Sequence, residues 1–177
     1  KLDTIHLDGE ETKIIDYIKN FLKPETKEFF EELGIPYKLN ILFEGLPGTG
    51  KVSKEEIGQL LEFSSLSVGV FDQSELLGFV ICLPPNTAYG SLNYAWFNEH
   101  YDSFVYVDRI AVAEKKRNRG VGSSLYNHVV SYSEQHRIPV AAEVNRNPPN
   151  LGSMRFHHRF GFEEVGVLHH EEKSVTM

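Results

Sequence analysis

The sequence predicts an α/β fold, and three observations carry that expectation. Segments with apolar residues at helical spacing interleave with short β-branched runs along the whole chain. The runs SLSVGVFD and LLGFVICL flank DQSE, a hairpin by spacing and by turn chemistry. A glycine-rich stretch, Arg117 to Ser124, stands between a strand pattern and a helix pattern, where α/β folds bind anions.

Taken in order, EETKIIDYIKNFLK sets Ile14, Ile15, Ile18, Phe21 and Leu22 on one helical face. Pro24 suits the first turn of a second helix and Gly34 its C-terminal end. LNILFEG reads as a buried strand, so the first fifty residues form a helix-helix-strand segment. Ser53 and Glu56 make a capping box, which predicts a helix over 54–63 with Ile57, Leu60 and Leu61 inward. The hairpin follows, then an aromatic, polar stretch, PPNTAYGSLNYAWFNEHYD, expected as a loop with a short helix. FVYVDRIAVA reads as a strand, RGVGSSLYNHVVSYSEQH as a helix and IPVAAEVN as a strand. The loop NRNPPN leads to a helix in LGSMRFHHRFGF, ended by Gly161, and closing strands lie near EEVGVLHH and EKSVTM.

The chain of 177 residues is long enough to bury a core, and its 41% hydrophobic and 24% charged composition is that of a globular protein. A net charge of −7 disfavours a general nucleic-acid binder, whose affinity rests on neutralising phosphates. Cationic ligands suit it better. The single cysteine, Cys82, excludes an internal disulfide and a cysteine-cluster metal site, and its apolar neighbours make it a core residue. No apolar run reaches membrane-spanning length and no signal peptide opens the chain, so a cytoplasmic setting is expected, without membrane association.

Gly45 to Lys51 follow the P-loop pattern as far as the lysine. A working P-loop then needs Ser or Thr to ligate magnesium, and here the residue is Val52. Ser53 comes one position late, about 100° round a helix. The second glycine-rich loop is the better anion site. Gly120 and Gly122 allow close backbone approach, the following helix offers its free N–H groups, and Arg117 and Arg119 add positive charge. The competing reading is a plain turn carrying two solvated arginines.

RNRGVG matches the [Arg/Gln]-x-x-Gly-x-[Gly/Ala] acetyl-CoA signature. Downstream, Asn150-x-x-Ser153-x-x-Phe156-His157-x-x-x-Gly161-Phe162 matches the late helix of the same group. On these motifs residues 52–177 resemble the GCN5-related N-acetyltransferase (GNAT) superfamily, in particular a bacterial group sharing LPP-x-T-x-Y, Y-W-F, YVDRI and EVN-x-x-PPN. Residues 1–51 instead resemble the segment leading into the P-loop of an AAA ATPase, with GIPYK before the strand, and the likeness stops at Lys51. The chain therefore resembles a junction of two pieces, the first an atypical N-terminal segment and the second an acetyltransferase domain.

The resemblance implies a mixed, mostly antiparallel sheet with splayed central strands flanked by helices. It also implies acetyl-CoA as acetyl donor, with the pantetheine arm on the strand backbone at Ile110, Ala111 and Val112 and the pyrophosphate on the amides from Asn118 to Ser123, including Arg119, Gly120, Val121 and Gly122, beside Arg117. Asn150 and Ser153 are the matching positions for contacts to the far end of the cofactor or to water. His157 stands where the family often has its tyrosine acid, and an imidazole is not a drop-in replacement for a phenol. A structural role competes with that of acid.

Asp108 is the candidate base, since strand alternation puts it on one face with Ile110 and Val112; a salt bridge to Arg109 or Arg146 is its competing role. Glu143 is the inward carboxylate that could grip an acceptor's ammonium. The aromatic stretch from Tyr89 to Tyr101, with Trp96 and Phe97, would wall the acceptor pocket or simply be core. His169 and His170 fall on opposite strand faces, which opposes a metal site. The leading function is N-acetylation of a primary amine, on a small molecule or a peptide, with turnover open to impairment by the altered N-terminus. A non-catalytic acyl-CoA-binding module and a P-loop nucleotide binder are the alternatives, and the family leaves a homodimer open.

Overall fold

The computed structural model describes residues 3–5, 54–72 and 75–177. The helices expected over 10–23 and 24–34, the strand over 39–45, the GLPGTGK loop and the cap at Ser53 lie outside those residues. In chain order the described elements are β1 (Asp3–Ile5), α1 (Lys54–Phe63), β2 (Leu66–Asp72), β3 (Glu75–Leu83), α2 (Leu92–His100), β4 (Val105–Val112), α3 (Val121–His136), β5 (Val140–Ala141), β6 (Val144–Asn147), α4 (Leu151–Arg159), β7 (Val167–His169) and β8 (Ser174–Thr176). They form one sheet in the order β1-β2-β3-β4-β5 and a second in the order β6-β8-β7. Only the β4–β5 pair is parallel. This is the mixed, mostly antiparallel α/β architecture expected.

Strand alternation sorts the core into two layers. Phe79, Ile81, Leu83 and Tyr106 pack with Ile57 and Leu60 of α1 and Tyr94 and Phe97 of α2. On the opposite face Val68, Val70, Val80, Cys82, Val105 and Val107 pack with Val121, Leu125, Tyr126 and Val129 of α3. Cys82 is fully buried, and that burial pushes its thiol pKa far up, which fits a core residue and not a nucleophile. The loop before α2 is pinned by Tyr94, whose hydroxyl donates to the Pro84 carbonyl (2.6 Å) and accepts from the Thr87 N–H (2.7 Å).

The sheet edge beside β2 is taken by Asp3–Ile5, paired with Gly69 to Phe71. One local difference from the sequence expectation has a physical cause. IPVAAEVN is not one strand: pairing passes from β4 at Val140 and Ala141 to β8 at Val144, and the chain breaks at Ala142 and Glu143.

Gly78 permits the close approach of β3, β4 and the start of α3. A Cβ there would lie 2.7 Å from the Ala111 carbonyl oxygen and 2.9 Å from Val121 Cγ1. Backbone cannot step aside cheaply. Gly78→Ala is therefore expected to destabilise the fold by about 1–3 kcal/mol, read from the midpoint of denaturant unfolding.

Candidate active site

The site starts from a loss of pairing. β4 meets β5 only at Val105 and Tyr106, and beyond them its outer edge has no partner strand among the described residues. The Ala113 N–H bonds to the Leu77 carbonyl, so Ala113 and Ala111 turn their backbone groups toward β3. Those of Ile110 and Val112 therefore face the open side. An extended polar chain could complete the sheet there by strand addition.

Along that edge lies a cavity of about 370 Å³. Ile110 and Val112 wall one side, the turn with Lys116, Arg117, Asn118 and Gly120 and the first residues of α3 close one end, and Gly152, Ser153, Phe156, His157 and Arg159 of α4 form the far wall. Asn118 (φ 58°) and Gly120 (φ 83°) both take left-handed conformations, which turn the chain sharply into α3. Gly122 faces the cavity with the Phe156 ring 3.5 Å from where a Cβ would stand. Nine of the twelve residues expected to hold a cofactor thus line one cavity, while Ala111, Arg119 and Asn150 do not. Asn150 is the N-cap of α4, its Oδ1 accepting from the Ser153 N–H at 3.0 Å.

Asp108 departs from the strand-face expectation. The β3–β4 register jumps from Ile81↔Arg109 to Cys82↔Val107, which makes Asp108 the extra residue of a β-bulge. Ile110 and Val112 pack toward α3, whereas Asp108 accepts a hydrogen bond from the Tyr89 hydroxyl, in the layer that holds α2. The bulge has moved it off the Ile110 and Val112 face. Its Oδ2 lies 3.2 Å from Arg109 Nε, yet neither atom makes an aligned hydrogen bond. Burial raises its carboxyl above the usual range, with Tyr89 and Arg109 opposing. Arg146 is elsewhere, paired with Glu164 at 2.7 Å.

Glu143 sits at the break between β5 and β6, and two elements reach it. Tyr106 of β4 donates its hydroxyl to Oε2 (2.7 Å), and Asn93 of α2 donates its amide to Oε1 (3.0 Å). The Asn93 Oδ1 in turn meets Nε2 of His170, in the turn after β7, at 2.9 Å. Burial raises the Glu143 carboxyl, the two donors lower it, and the charge of Asp108 raises it again. Two carboxylates thus stand on the α2 side of the split, opposite the cavity wall made by Ile110 and Val112.

His157 lines the cavity with both ring nitrogens engaged. Nδ1 lies 2.8 Å from the Ser153 carbonyl, which can only accept, so Nδ1 carries the proton. Nε2 then accepts from the buried Tyr126 hydroxyl at 2.5 Å. Burial lowers the imidazole pKa, with the Ser153 contact opposing, so the ring is held neutral.

The aromatic stretch divides. Tyr94 and Phe97 are core, Tyr89 reaches Asp108, and Tyr101 lines a separate hollow of about 540 Å³ with Phe97, Val140 and Phe162, sharing no residue with the first. Asn93, Tyr106, Tyr126 and the role of His170 escaped sequence reasoning because their partners lie 31 to 77 residues away. Among the described residues no His, Cys, Asp and Glu group could hold a metal, and no helix is long and apolar enough to cross a membrane.

Comparison with known proteins agrees with this geometry. NAA60 of Arabidopsis thaliana, solved in complex with acetyl-CoA, is 22% identical, with 71% of this chain and 81% of that one covered at a TM-score of 0.55. The ribosomal-protein-S18-alanine N-acetyltransferase of Escherichia coli is 14% identical, with 73% and 76% covered at 0.56. Ard1 from Thermoplasma volcanium is 18% identical, with 74% and 81% covered at 0.57. These likenesses are of fold. No curated protein matches the chain. The sequence itself matches the acetyltransferase (GNAT) family over residues 37–162, more than half of its length, and so the chain belongs to that family.

Proposed function

We propose that the protein is an acetyl-CoA-dependent N-acetyltransferase that modifies a primary amine. The observation that carries the reading is the split between β4 and β5, with a backbone-lined cavity on the α3 side and two raised carboxylates on the α2 side. The residues fit the donor. The amides of Ile110 and Val112 suit the amide-bearing pantetheine arm, and the left-handed turn into α3 offers its N-terminal N–H groups to a pyrophosphate. Acetyl-CoA would supply the acyl group as a thioester, with coenzyme A departing as the free thiol. The neighbours solved with acetyl-CoA or a bisubstrate analogue support this assignment by fold.

On the acceptor side the two carboxylates differ in their hydrogen bonding. Both oxygens of Glu143 already accept from the protein, so it suits holding an ammonium by charge. Asp108 has no such pair of aligned donors: its Oδ2 is buried and ion-paired with Arg109 at 3.2 Å, and its raised carboxyl is the group on this side that suits taking the ammonium's proton to leave a nucleophilic amine. Attack on the thioester then leaves a proton on nitrogen that must reach the sulfur. His157, neutral and bound at both nitrogens, is poorly placed to give one, and we read it as holding Ser153 and Tyr126 at the cavity wall. A small amine and a peptide amine both suit the charge of the site, and a cytoplasmic setting and a homodimer remain parts of this proposal.

The following outcomes are expected. Gly120→Val, which forces a β-branched residue to φ 83°, should weaken acetyl-CoA about tenfold or more in calorimetric titration, and the double variant with Arg117→Ala should abolish binding. Lys51→Ala should leave binding unchanged and Mg-ATP should give no heat; binding of Mg-ATP alone would overturn the proposal. Asp108→Asn should cost about 10²- to 10⁴-fold in kcat, followed as thiol released with a panel of amines, while acetyl-CoA binding persists. Because Asp108 must be ionised to act and its pKa is raised, wild-type kcat/KM should fall with decreasing pH from above the usual carboxylate range, and the variant should lose that limb. His157→Gln should lower kcat by less than the roughly 10²-fold minimum that a proton donor contributes. A larger loss with binding intact would make His157 the acid.

A further inference from the structure

Asn93 is the second residue of α2, and its side chain does not serve its own helix. The cap of α2 is Ser91, whose hydroxyl accepts from the Tyr94 N–H at 3.3 Å. The Asn93 amide instead spans the gap between two other elements, Glu143 at the β5–β6 break and His170 in the turn after β7. That turn is closed by the His170 N–H donating to the Lys173 carbonyl at 2.7 Å, so the ring is delivered from a short, fixed stretch.

An asparagine amide can face either way, and only one way serves Glu143. A carboxylate oxygen needs a donor, so Nδ2 must face Glu143, and Oδ1 is left for His170, which must donate through Nε2–H. We propose that Asn93 and His170 are positioning residues for the Glu143 carboxylate: His170 fixes the orientation of the Asn93 amide, and Asn93 holds Glu143 ionised toward the acceptor. This rests on the reading of Glu143 as the contact for the acceptor's ammonium. The arrangement ties acceptor recognition to α2 and to the β7–β8 turn, neither of which lines the cofactor cavity. The other titratable groups that interact with Glu143 are Tyr106 and Asp108 of β4 and Tyr126 of α3.

The test reads Glu143 directly, without an acceptor. In protein labelled with ¹³C at glutamate carboxyls, the Glu143 resonance is assigned by its loss in Glu143→Gln, and its midpoint is followed by NMR against pH. Asn93→Ala removes a donor that favours the ionised form, so the midpoint should rise, a three- to tenfold gain in proton affinity on the order of one lost hydrogen bond. His170→Ala should shift it the same way. His170→Gln, which keeps an N–H for the Asn93 Oδ1, should return it toward wild type. Asn93→Asp, of the same shape, serves if the alanine variant fails to fold, and its added carboxylate should raise the midpoint further. An unchanged midpoint in a folded Asn93 variant that still binds acetyl-CoA would overturn the proposal, as would equal shifts in His170→Gln and His170→Ala. Thiol release with the amine panel is a separate reading. There Asn93→Ala should raise the acceptor KM more than it lowers kcat, and absence of turnover in the wild type would sink the enzymatic assignment while the titration still decided the positioning.

Discussion

The rest of the structure depends on β4 parting from β5 after Tyr106. Two paired residues hold the strands together, and beyond them β4 runs on with an edge that no strand covers among the described residues. The bulge at Asp108 increases the local twist of β4, as bulges do, and falls just past the last paired residue. Tyr106 and Glu143 then span the opening with a single 2.7 Å hydrogen bond. A continuous sheet would have no room for a cofactor arm and no passage between its two faces.

That opening leaves polar groups without the partners a closed sheet would give them. The backbone groups of Ile110 and Val112 face it from half-buried positions along the cavity, without strand partners. The fold retains groups that an extended, amide-bearing ligand can satisfy. Bulk packing holds the flanks: α3 lays Val121, Leu125, Tyr126 and Val129 on one face, and α1 and α2 cover the other. The split is thus braced on both sides by apolar burial, the term large enough to support an unpaired edge.

Local features of the site were legible in the sequence and long-range ones were not. The left-handed turn at Gly120 and the start of α3 are set by neighbouring residues, so RNRGVG announces them, and Ser153, Phe156 and His157 are reached through the resemblance of their stretch to the family's late helix. Strand alternation failed at Asp108, because a bulge is a property of two paired strands and the β3 register appears in no local pattern. Asn93 meets Glu143 across 50 residues and His170 across 77, contacts that only the assembled topology creates. IPVAAEVN reads as one strand because its residues all favour extended backbone, while the change of partner at Glu143 is decided by β4 and β8.

The same contrast explains why donor and acceptor sides are built differently. A cofactor held by strand amides and a helix N-terminus is recognised mainly through backbone, which many side chains tolerate provided the glycine turn is kept. On the proposed reading, a cationic acceptor would meet carboxylates that burial alone would neutralise. Burial raises the Glu143 carboxyl and the Tyr106 and Asn93 donors oppose that rise, while Asp108 receives one such donor from Tyr89. On that reading acceptor choice would lie with the side chains that set those donors, on β4, on α2, on the loop before it and on the β7–β8 turn. Those elements can change their side chains while the split, the glycine turn and the donor site stay as they are.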